Sequence, residues 1–483
     1  MRIKDLLAGV SILETSVDLE QNIENVVYDS RKVVPGSLFV AISGFAVDGN
    51  RFIPMALEKG AAAVVTAKKP EGDIPYILVE SDRLALATIG CNYFGHPARS
   101  MTMIGVTGTN GKTSATLLLK QVLEKTCGAK VGLIGTMENR IGDLVIPTER
   151  TTPESFELQS LFAQMRDAGC THVVMEVSSH AIALDRVGGV HFHVAAFTNL
   201  TEDHLDFHKT MENYCDTKAQ LFCRCDKAVA NRDDAWYERI ISKASCHVLT
   251  TSAKQEAALR AENVELHSDG VTFTAVHADA RVGVTLPIPG RFTVYNALTV
   301  LGIALQLGIS LNAAADALKS AQGVKGRVEV VPTPGKPYTI LIDYAHTPDG
   351  LENVLSSVKD FCKGRLIAVF GCGGDRDPIK RPIMGKIGTN LADFSVITSD
   401  NPRTEDPMAI ITDILKGVDA PEEKYKVIEN RRKAIRYAMD KAEKNDIIIL
   451  AGKGHETYQE ICGVKHHLDE REEVAAYLEE MRK

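Results

Sequence analysis

No apolar run in this chain approaches the roughly 18 residues that a membrane-crossing helix needs, so a helical membrane span is excluded. The opening Met-Arg-Ile-Lys-Asp is not a secretory leader, and a cytoplasmic protein is expected. Positive charge is in deficit. The formal net charge of -8 argues against a nucleic-acid binder and leaves room only for local basic pockets that hold phosphates. Repeated C-x-x-C pairs are absent too: the ten cysteines are scattered, and Cys223 and Cys225 in LFCRCD are the only tight pair. Zinc sites show two spaced pairs and cytosolic thiols stay reduced, so buried free thiols holding no metal are expected. Neither an internal repeat nor a low-complexity tract occurs.

What is present is an ordinary globular composition, 45% apolar and 24% charged. At 483 residues the chain exceeds one core, and about 100 to 200 residues per domain suggests three. Residues 1–98 alternate short strands (VVYDSR, LFVAISG, AAAVVTA, YILVES) with helical runs near 50–59 and 82–95, and the turn GHPARS at 95–100 marks a boundary. Residues 99–325 carry strands MTMIGV, VGLIG, HVVMEV and VAAFTNL separated by helix-length segments, the pattern of a parallel sheet flanked by helices. Alternating strands over 262–288 add an antiparallel extension, and helices are expected over 295–307 and 311–320. Residues 326–483 repeat the α/β rhythm through YTILIDYA, RLIAVFGC, FSVITSD and DIIILAG. The expectation is an α/β protein of three domains with a central P-loop-type parallel-sheet ATPase domain. In the last domain each strand ends in a polar or glycine loop, where open parallel sheets bind ligands.

Residues 104–114, IGVTGTNGKTS, run from an apolar strand end through glycines into Lys112 and Thr113. A loop that holds a triphosphate needs inward-pointing backbone N–H groups, which glycine permits because it has no Cβ. Thr107, Gly108, Thr109, Asn110 and Gly111 would form the cradle, Lys112 would reach the β/γ-phosphates, and the Thr113 hydroxyl would sit on Mg²⁺. The strict pattern wants Gly where this chain has Val106, with Gly105 and Gly108 on either side. The strand before and the amphipathic run ATLLLKQVLEK after supply the required context; the alternative is a glycine turn in an ordinary α/β unit.

Other strand ends carry chemistry. Glu176, before Ser178, Ser179 and His180, either holds Mg²⁺ alongside phosphate oxygens or is a buried acid paired with an arginine. FTNLTEDHLDFH places Asp203, His204, Asp206 and His208 after another strand, a cluster too polar for a core, although a loop histidine such as His204 is as readily structural. Lys218 falls where its expected helix would bury it, so it pairs, snorkels or is chemically changed. Partial burial favours the neutral amine that reacts with CO₂. Asp343 and His346, then Arg376, then Asp400, Asn401, Pro402 and Arg403, and finally Gly452 and Glu456 end four strands of the last domain. Arg376 and Arg403 on one crevice would clamp carboxylates, and Glu456 would take an ammonium, giving a receptor for a zwitterionic amino acid. The alternative is a surface salt-bridge network.

Together these motifs resemble the Mur ligases, ATP-dependent amide-bond-forming enzymes of peptidoglycan assembly. The likeness runs from YDSRKVVPGSLFVAISG at 28–44 to AGKGHE near the end, and TGTNGKT is the family's form of the phosphate loop. It implies an N-terminal domain for a uridine nucleotide, a central one for ATP and Mg²⁺, and a C-terminal Rossmann-like one for the incoming amino acid. By matching motif, Ser30 and Phe45 would contact the UDP-sugar, while Thr151, Thr152, Ser178 and Arg186 would hold the rest of that substrate. Asn296 in GRFTVYN, with Asp343 and His346, would serve ATP. Lys112, Lys218, His204 and Glu176 form the implied catalytic set, with Thr113, Glu176, His204 and Lys218 around metal. Lys218 matches the lysine that the family carbamylates, a change that turns an ammonium into a carboxylate able to position a second Mg²⁺. The chain departs from the family pattern at Arg150, where Asn often precedes TTP, and at Thr293, where many relatives have Asn.

DNPR at 400–403 resembles the family's meso-diaminopimelate recognition motif, implying an amino-acid site of Arg376, Asp400, Asn401, Pro402, Arg403, Gly452 and Glu456. The physics agrees, because diaminopimelate ends in a carboxylate that Arg403 can clamp, whereas a lysine side chain ends in an ammonium that it would repel. The implied reaction joins meso-diaminopimelate to UDP-N-acetylmuramoyl-L-alanyl-D-glutamate through an acyl phosphate, with His346 or a nearby acid assisting deprotonation of the amine. Three rivals stay open: the same ligation with lysine or another diamine, a folylpolyglutamate-synthetase-like ligase, and an ATP-binding scaffold without ligation. Lys218, Glu176 and His204 together count against the last.

Overall fold

Strands such as Leu366–Phe370 (LIAVF) and Ile447–Ala451 (IIILA) are buried at every position, which only a sheet covered on both faces allows. The computed structural model describes residues 1–44, 47–148 and 150–481. Two compact units emerge, Met1–Leu259 with Thr299–Ser310, and Arg260–Leu298 with Leu311–Lys483.

The first unit holds two sheets. The N-terminal one runs in the order Ile12–Thr15, Tyr76–Val79, Ala63–Thr66, Ser37–Ala41, Asn25–Val27, parallel except for its first strand. Leu38 and Val40 enter one apolar cluster and Phe39 and Ala41 the other, as the two-residue repeat of a strand demands. The second sheet is parallel across His247–Ser252, Cys225–Asn231, Phe192–Phe197, Thr102–Thr107, His172–Glu176 and Val131–Ile134. It continues into an antiparallel hairpin, Asn139–Ile141 with Leu144–Ile146. The four expected strands are present; the first two and the hairpin were not anticipated.

In the second unit Gly270–His277 pairs antiparallel with Ala280–Leu286 beside Leu259–His267, as expected. A six-stranded sheet follows in the order Glu329–Val331, Thr339–Asp343, Ile447–Ala451, Leu366–Phe370, Phe394–Ile397, Tyr425–Val427, parallel except for the first. A separate hairpin joins Tyr458–Ile461 to Val464–His467. The expected helices appear as Arg291–Gln306 and Leu311–Leu318.

Helix starts separate structure from function. Ser81, Ser178, Thr210, Thr347, Asp406 and Asn430 each accept a backbone N–H of the helix they precede. Lys112–Cys127, a helix of 16 residues, begins at Gly111 with no side-chain cap, so its first N–H groups and positive dipole end are left for something else. No helix among the described residues is long and apolar enough to cross a membrane. All ten cysteines are free, but not all are buried as expected: Cys127, Cys223 and Cys462 are exposed, and the sulfur 3.5 Å from Cys225 Sγ belongs to Cys246, brought near by adjacent parallel strands.

Candidate active site

The phosphate loop is shaped by two glycines. Gly108 has φ +146° and Gly111 φ +85°, and a Cβ at Gly108 would overlap Thr198 Oγ1. Asn199, not anticipated from sequence, fixes the loop: Thr109 N–H donates to its carbonyl at 2.8 Å and Asn110 N–H to its Oδ1 at 3.0 Å. Gly105 has another task, since a Cβ there would sit 2.8 Å from the Phe192 ring inside the sheet. Lys112 Nζ donates to Gly108 O at 3.0 Å and Thr109 O at 2.8 Å. Its surroundings desolvate it and push its pKa below the lysine norm.

Lys218 comes to the same carbonyl. It lies in the helix Met211–Ala219, is 1% exposed, and donates to Gly108 O at 2.9 Å with its ammonium 4.5 Å from the Tyr214 ring centroid. Burial, then the charge of Lys112, holds its pKa well below the ordinary range. Neither ammonium is ion-paired to a carboxylate among the described residues. His204 is exposed, in the left-handed backbone region (φ 54°), with its ring 4.8 Å from that of His180 and 6.2 Å from Tyr214. The cluster is not wholly outside the core as expected: His208 is buried, its Nε2 2.9 Å from Ser179 Oγ, because a serine partner and the Tyr214 ring give it a polar niche. Burial, with the charges of His180, Lys218 and His204, lowers its pKa to about 4.

Glu176 is buried, but no arginine among the described residues pairs with it. Thr113 Oγ1 and Thr136 N–H both donate to its Oε1 at 2.9 Å, and Thr136 Oγ1 to Oε2 at 3.1 Å. A buried carboxylate served among the described residues only by neutral donors, with the phosphate-loop threonine on it, suits a hard cation bound through oxygen. No group of three or more His, Cys, Asp or Glu with metal-holding geometry occurs among the described residues. The expected substrate residues adjoin this point. Thr151 Oγ1 meets Thr136 Oγ1 at 2.9 Å, Thr152 Oγ1 donates to the Glu176 carbonyl at 2.8 Å, and Ser178 N–H donates to Thr152 Oγ1 at 3.2 Å. Arg186 donates to Thr152 O at 3.2 Å and pairs with Glu154 at 3.4 Å. Ser30, buried at the start of a short 3-10 turn, has its carbonyl 3.1 Å from Lys59 Nζ. Phe45 lies outside the described residues, and Arg150 is exposed.

In the second unit Asn296 is buried in its helix, and Thr293 Oγ1 donates to Pro289 O at 3.1 Å. Asp343 is buried, accepting N–H groups of Val328 and Ala345 at 2.9 Å each, and desolvation raises its pKa. His346 is exposed three residues on. Two strand-end loops are stitched together: Gly374 N–H donates to Asn401 O at 2.9 Å and Arg403 Nη1 to Gly374 O at 2.7 Å. A Cβ at Gly373 would lie 3.0 Å from Arg403 Nη1 and 4.0 Å from Arg376 Cγ, so the Arg376 stem passes near the Arg403 guanidinium. Arg403 holds a left-handed backbone (φ 53°) and pairs with Glu460 at 3.3 Å. Asp400 turns inward: Asn401 N–H donates to its Oδ1 at 2.7 Å, and Arg431 lies 3.7 Å from its Oδ2. Pro402 O caps the next turn, accepting from Glu405 N–H at 3.0 Å. Asn401 Nδ2 donates to Glu456 Oε2 at 2.9 Å, and a Cβ at Gly452 (φ +117°) would lie 2.5 Å from Asp400 Oδ2. Lys453 and Glu460 are charged members of this site that the motif reading missed.

Residues 22–85 match the Mur ligase family, catalytic domain, 106–304 the Mur ligase middle domain, and 326–454 the Mur ligase glutamate ligase domain. The chain belongs to the Mur ligase family. It is 48% identical over 468 residues, 96% of each chain, to UDP-N-acetylmuramoyl-L-alanyl-D-glutamate--2,6-diaminopimelate ligase of Clostridium botulinum. It is equally 48% identical to the ligase of that name from Caldanaerobacter subterraneus, over the whole of both chains. A solved structure of a ligase of that name superposes with TM-score 0.80 at 32% identity, covering 100% of this chain and 99% of its own. An ADP-bound MurF ligase of Thermotoga maritima shares the fold at TM-score 0.58 and 19% identity, over 95% of this chain and 98% of its own.

Proposed function

We propose that this protein is the ATP-dependent ligase that joins meso-2,6-diaminopimelate to UDP-N-acetylmuramoyl-L-alanyl-D-glutamate, releasing ADP and phosphate, in cytoplasmic peptidoglycan precursor synthesis. The observation that carries the reading is 48% identity along the full chain to a relative of that name, with DNPR held beside Arg376 and Glu456. Residues 1–98 take the UDP-sugar, 99–325 ATP, and 326–483 the amino acid.

The uncapped helix start at Gly111 and the ammonium of Lys112 receive the phosphates. The γ-phosphoryl group passes from ATP to an oxygen of the D-glutamate carboxylate, giving an acyl phosphate and ADP. Lys112 stabilises charge that develops on the transferred group. Thr152, Ser178 and Arg186 hold the acceptor beside Glu176. The diaminopimelate amine, having lost its proton, attacks the acyl carbon, and phosphate leaves. Arg403 and Arg376 take the amino acid's carboxylates and Glu456 its ammonium. Mg²⁺, when bound by Thr113 and Glu176, and with His204 by a carbamylated Lys218, would neutralise phosphate charge. The depressed pKa of Lys218 favours the neutral amine, which adds to CO₂ with loss of one proton to give that carbamate.

The test is ADP release with the UDP-dipeptide and a panel of amino acids. Turnover with meso-diaminopimelate and not lysine is expected. Turnover with lysine alone would overturn the subtype, and no turnover with any amino acid would leave a scaffold.

A further inference from the structure

Lys453 lies between two glycines of AGKGHE and is 0% exposed. Its ammonium donates to Asn401 Oδ1 at 2.9 Å and Glu456 Oε2 at 3.3 Å, with Asp400 Oδ1 at 4.0 Å. Asn401 Oδ1 accepts a second hydrogen bond, from Glu460 N–H at 3.0 Å. Two donors on one atom decide which end of the amide is oxygen. The Asn401 NH₂ group is therefore turned toward Glu456, where it donates to Oε2 at 2.9 Å. Glu456 Oε2 is taken up by Lys453 and Asn401, leaving Oε1 without a donor among the described residues.

We infer that Lys453 is a positioning residue of the amino-acid site: its buried ammonium sets the orientation of Asn401 and Glu456 for recognition of the incoming amino acid, without touching that substrate. The inference rests on the amino-acid reading of this loop proposed above. Lys453 lies between the carboxylates of partly buried Glu456 and buried Asp400, and Arg431 stands at the other Asp400 oxygen, 3.7 Å from Oδ2, so Lys453 is the cation that serves Glu456. Without Lys453, Asn401 Oδ1 and Glu456 Oε2 each lose a donor, and nothing then holds the amide and the carboxylate in this orientation toward an incoming ammonium. The backbone is built to send this side chain inward. Gly452 and Gly454 flank it at φ +117° and +54°, and a Cβ at Gly454 would lie 2.5 Å from Tyr344 Cβ. A lysine that merely filled space would need neither a directed amide nor a pair of carboxylates.

The test uses the full-length enzyme with Lys453→Met, which keeps most of the stem and removes the charge. Initial rates of ADP release are measured with each substrate varied in turn. The KM for meso-diaminopimelate should rise about 10- to 100-fold, with those for ATP and the UDP-dipeptide unchanged within about twofold. In a Glu456→Gln background, adding Lys453→Met should cost less than about threefold more, because the partner is already gone. An unchanged diaminopimelate KM, a parallel rise in all three, a fall in kcat alone, or full additivity in the double variant would overturn the inference. Lys453→Gln is the second variant; if neither it nor Lys453→Met is recovered folded, Lys453 is a folding determinant and the inference fails. Wild-type enzyme that turns over only another amino acid would refute the proposed substrate, and the same selective split, read with that amino acid, would still decide the role of Lys453. Wild-type enzyme without turnover on any amino acid removes both.

Discussion

Replacing Lys218 with Met should make the free protein more stable while severely slowing ligation. Burying an ion carries an effective penalty of several kcal/mol even after relaxation. Against it stand one hydrogen bond from a charged donor, about 1.5–3 kcal/mol, and the cation–π contact with Tyr214, about 1–2 kcal/mol. Methionine retains most of the stem, and Gly108 O is not orphaned, since Lys112 still donates to it at 3.0 Å. The two sides are close in size, and the lowered pKa of Lys218 shows that the penalty exceeds the compensation; a surplus of about 1–2 kcal/mol would raise the unfolding midpoint of the first unit by roughly 2–8 °C. The pH dependence has a definite sign. The folded pKa of Lys218 lies below its ordinary 10.5, so the unfolded chain binds the extra proton between the two values and wild-type stability rises with pH through that window. The advantage of Lys218→Met is therefore full below the window and vanishes toward pH 10.5. Scanning calorimetry in CO₂-free buffer at neutral and alkaline pH measures it, and ADP release should fall by about 10²–10³. A variant less stable than wild type at neutral pH, or an advantage that grows as pH rises, would refute the reasoning.

Gly108→Ala should raise the ATP KM more than about tenfold and cost about 1–3 kcal/mol of stability, because its Cβ meets Thr198 and φ +146° is unfavourable for any side chain; nucleotide titration and urea unfolding read both. Arg403→Lys should raise the diaminopimelate KM at least about tenfold while the ATP KM stays put, since an ammonium cannot serve Gly374 O and a carboxylate with one planar fork. Steady-state kinetics with each substrate varied would show it. His208, with a folded pKa near 4 against an ordinary 6.5, contributes stability that is present above 6.5 and lost as pH falls toward 4. Urea midpoints at descending pH should drop less in His208→Gln than in wild type.

Legibility from sequence followed how local each signal was. Buried strands such as HVVME and LIAVF, each followed by a polar loop, declare both themselves and the ligand-facing end of the sheet. Lys218 was legible because helical spacing puts it on one face with Tyr214 and Cys215, and all three are buried. Cys225–Asn231 and His247–Ser252 were missed because their sequences, CDKAVAN and HVLTTS, mix polar and apolar residues without clear alternation. His208 was misread because its partner Ser179 is 29 residues away. Lys453 was passed over for a related reason: its contact with Asn401 spans 52 residues, and only the folded chain shows a carboxamide waiting there.

The charges at the two candidate sites are balanced in different ways, and the difference follows their ligands. Around the phosphate loop, Lys112 and Lys218 direct their side-chain nitrogens at a single carbonyl, with no carboxylate among the described residues paired to either. In the second unit Arg431 is bound to Glu470 at 2.8 Å, Lys453 to Glu456 at 3.3 Å and Arg403 to Glu460 at 3.3 Å. Desolvated positive charge without a counter-ion is costly until an anion arrives: at Lys112 the polyphosphate supplies that charge, while at Lys218 the carbamate proposed above removes the cation itself. A zwitterion offers no net charge to supply. A site that recognises one holds cations and anions in register, as Arg403 with Glu460 and Lys453 with Glu456 do, so that the ligand exchanges one set of ion pairs for another.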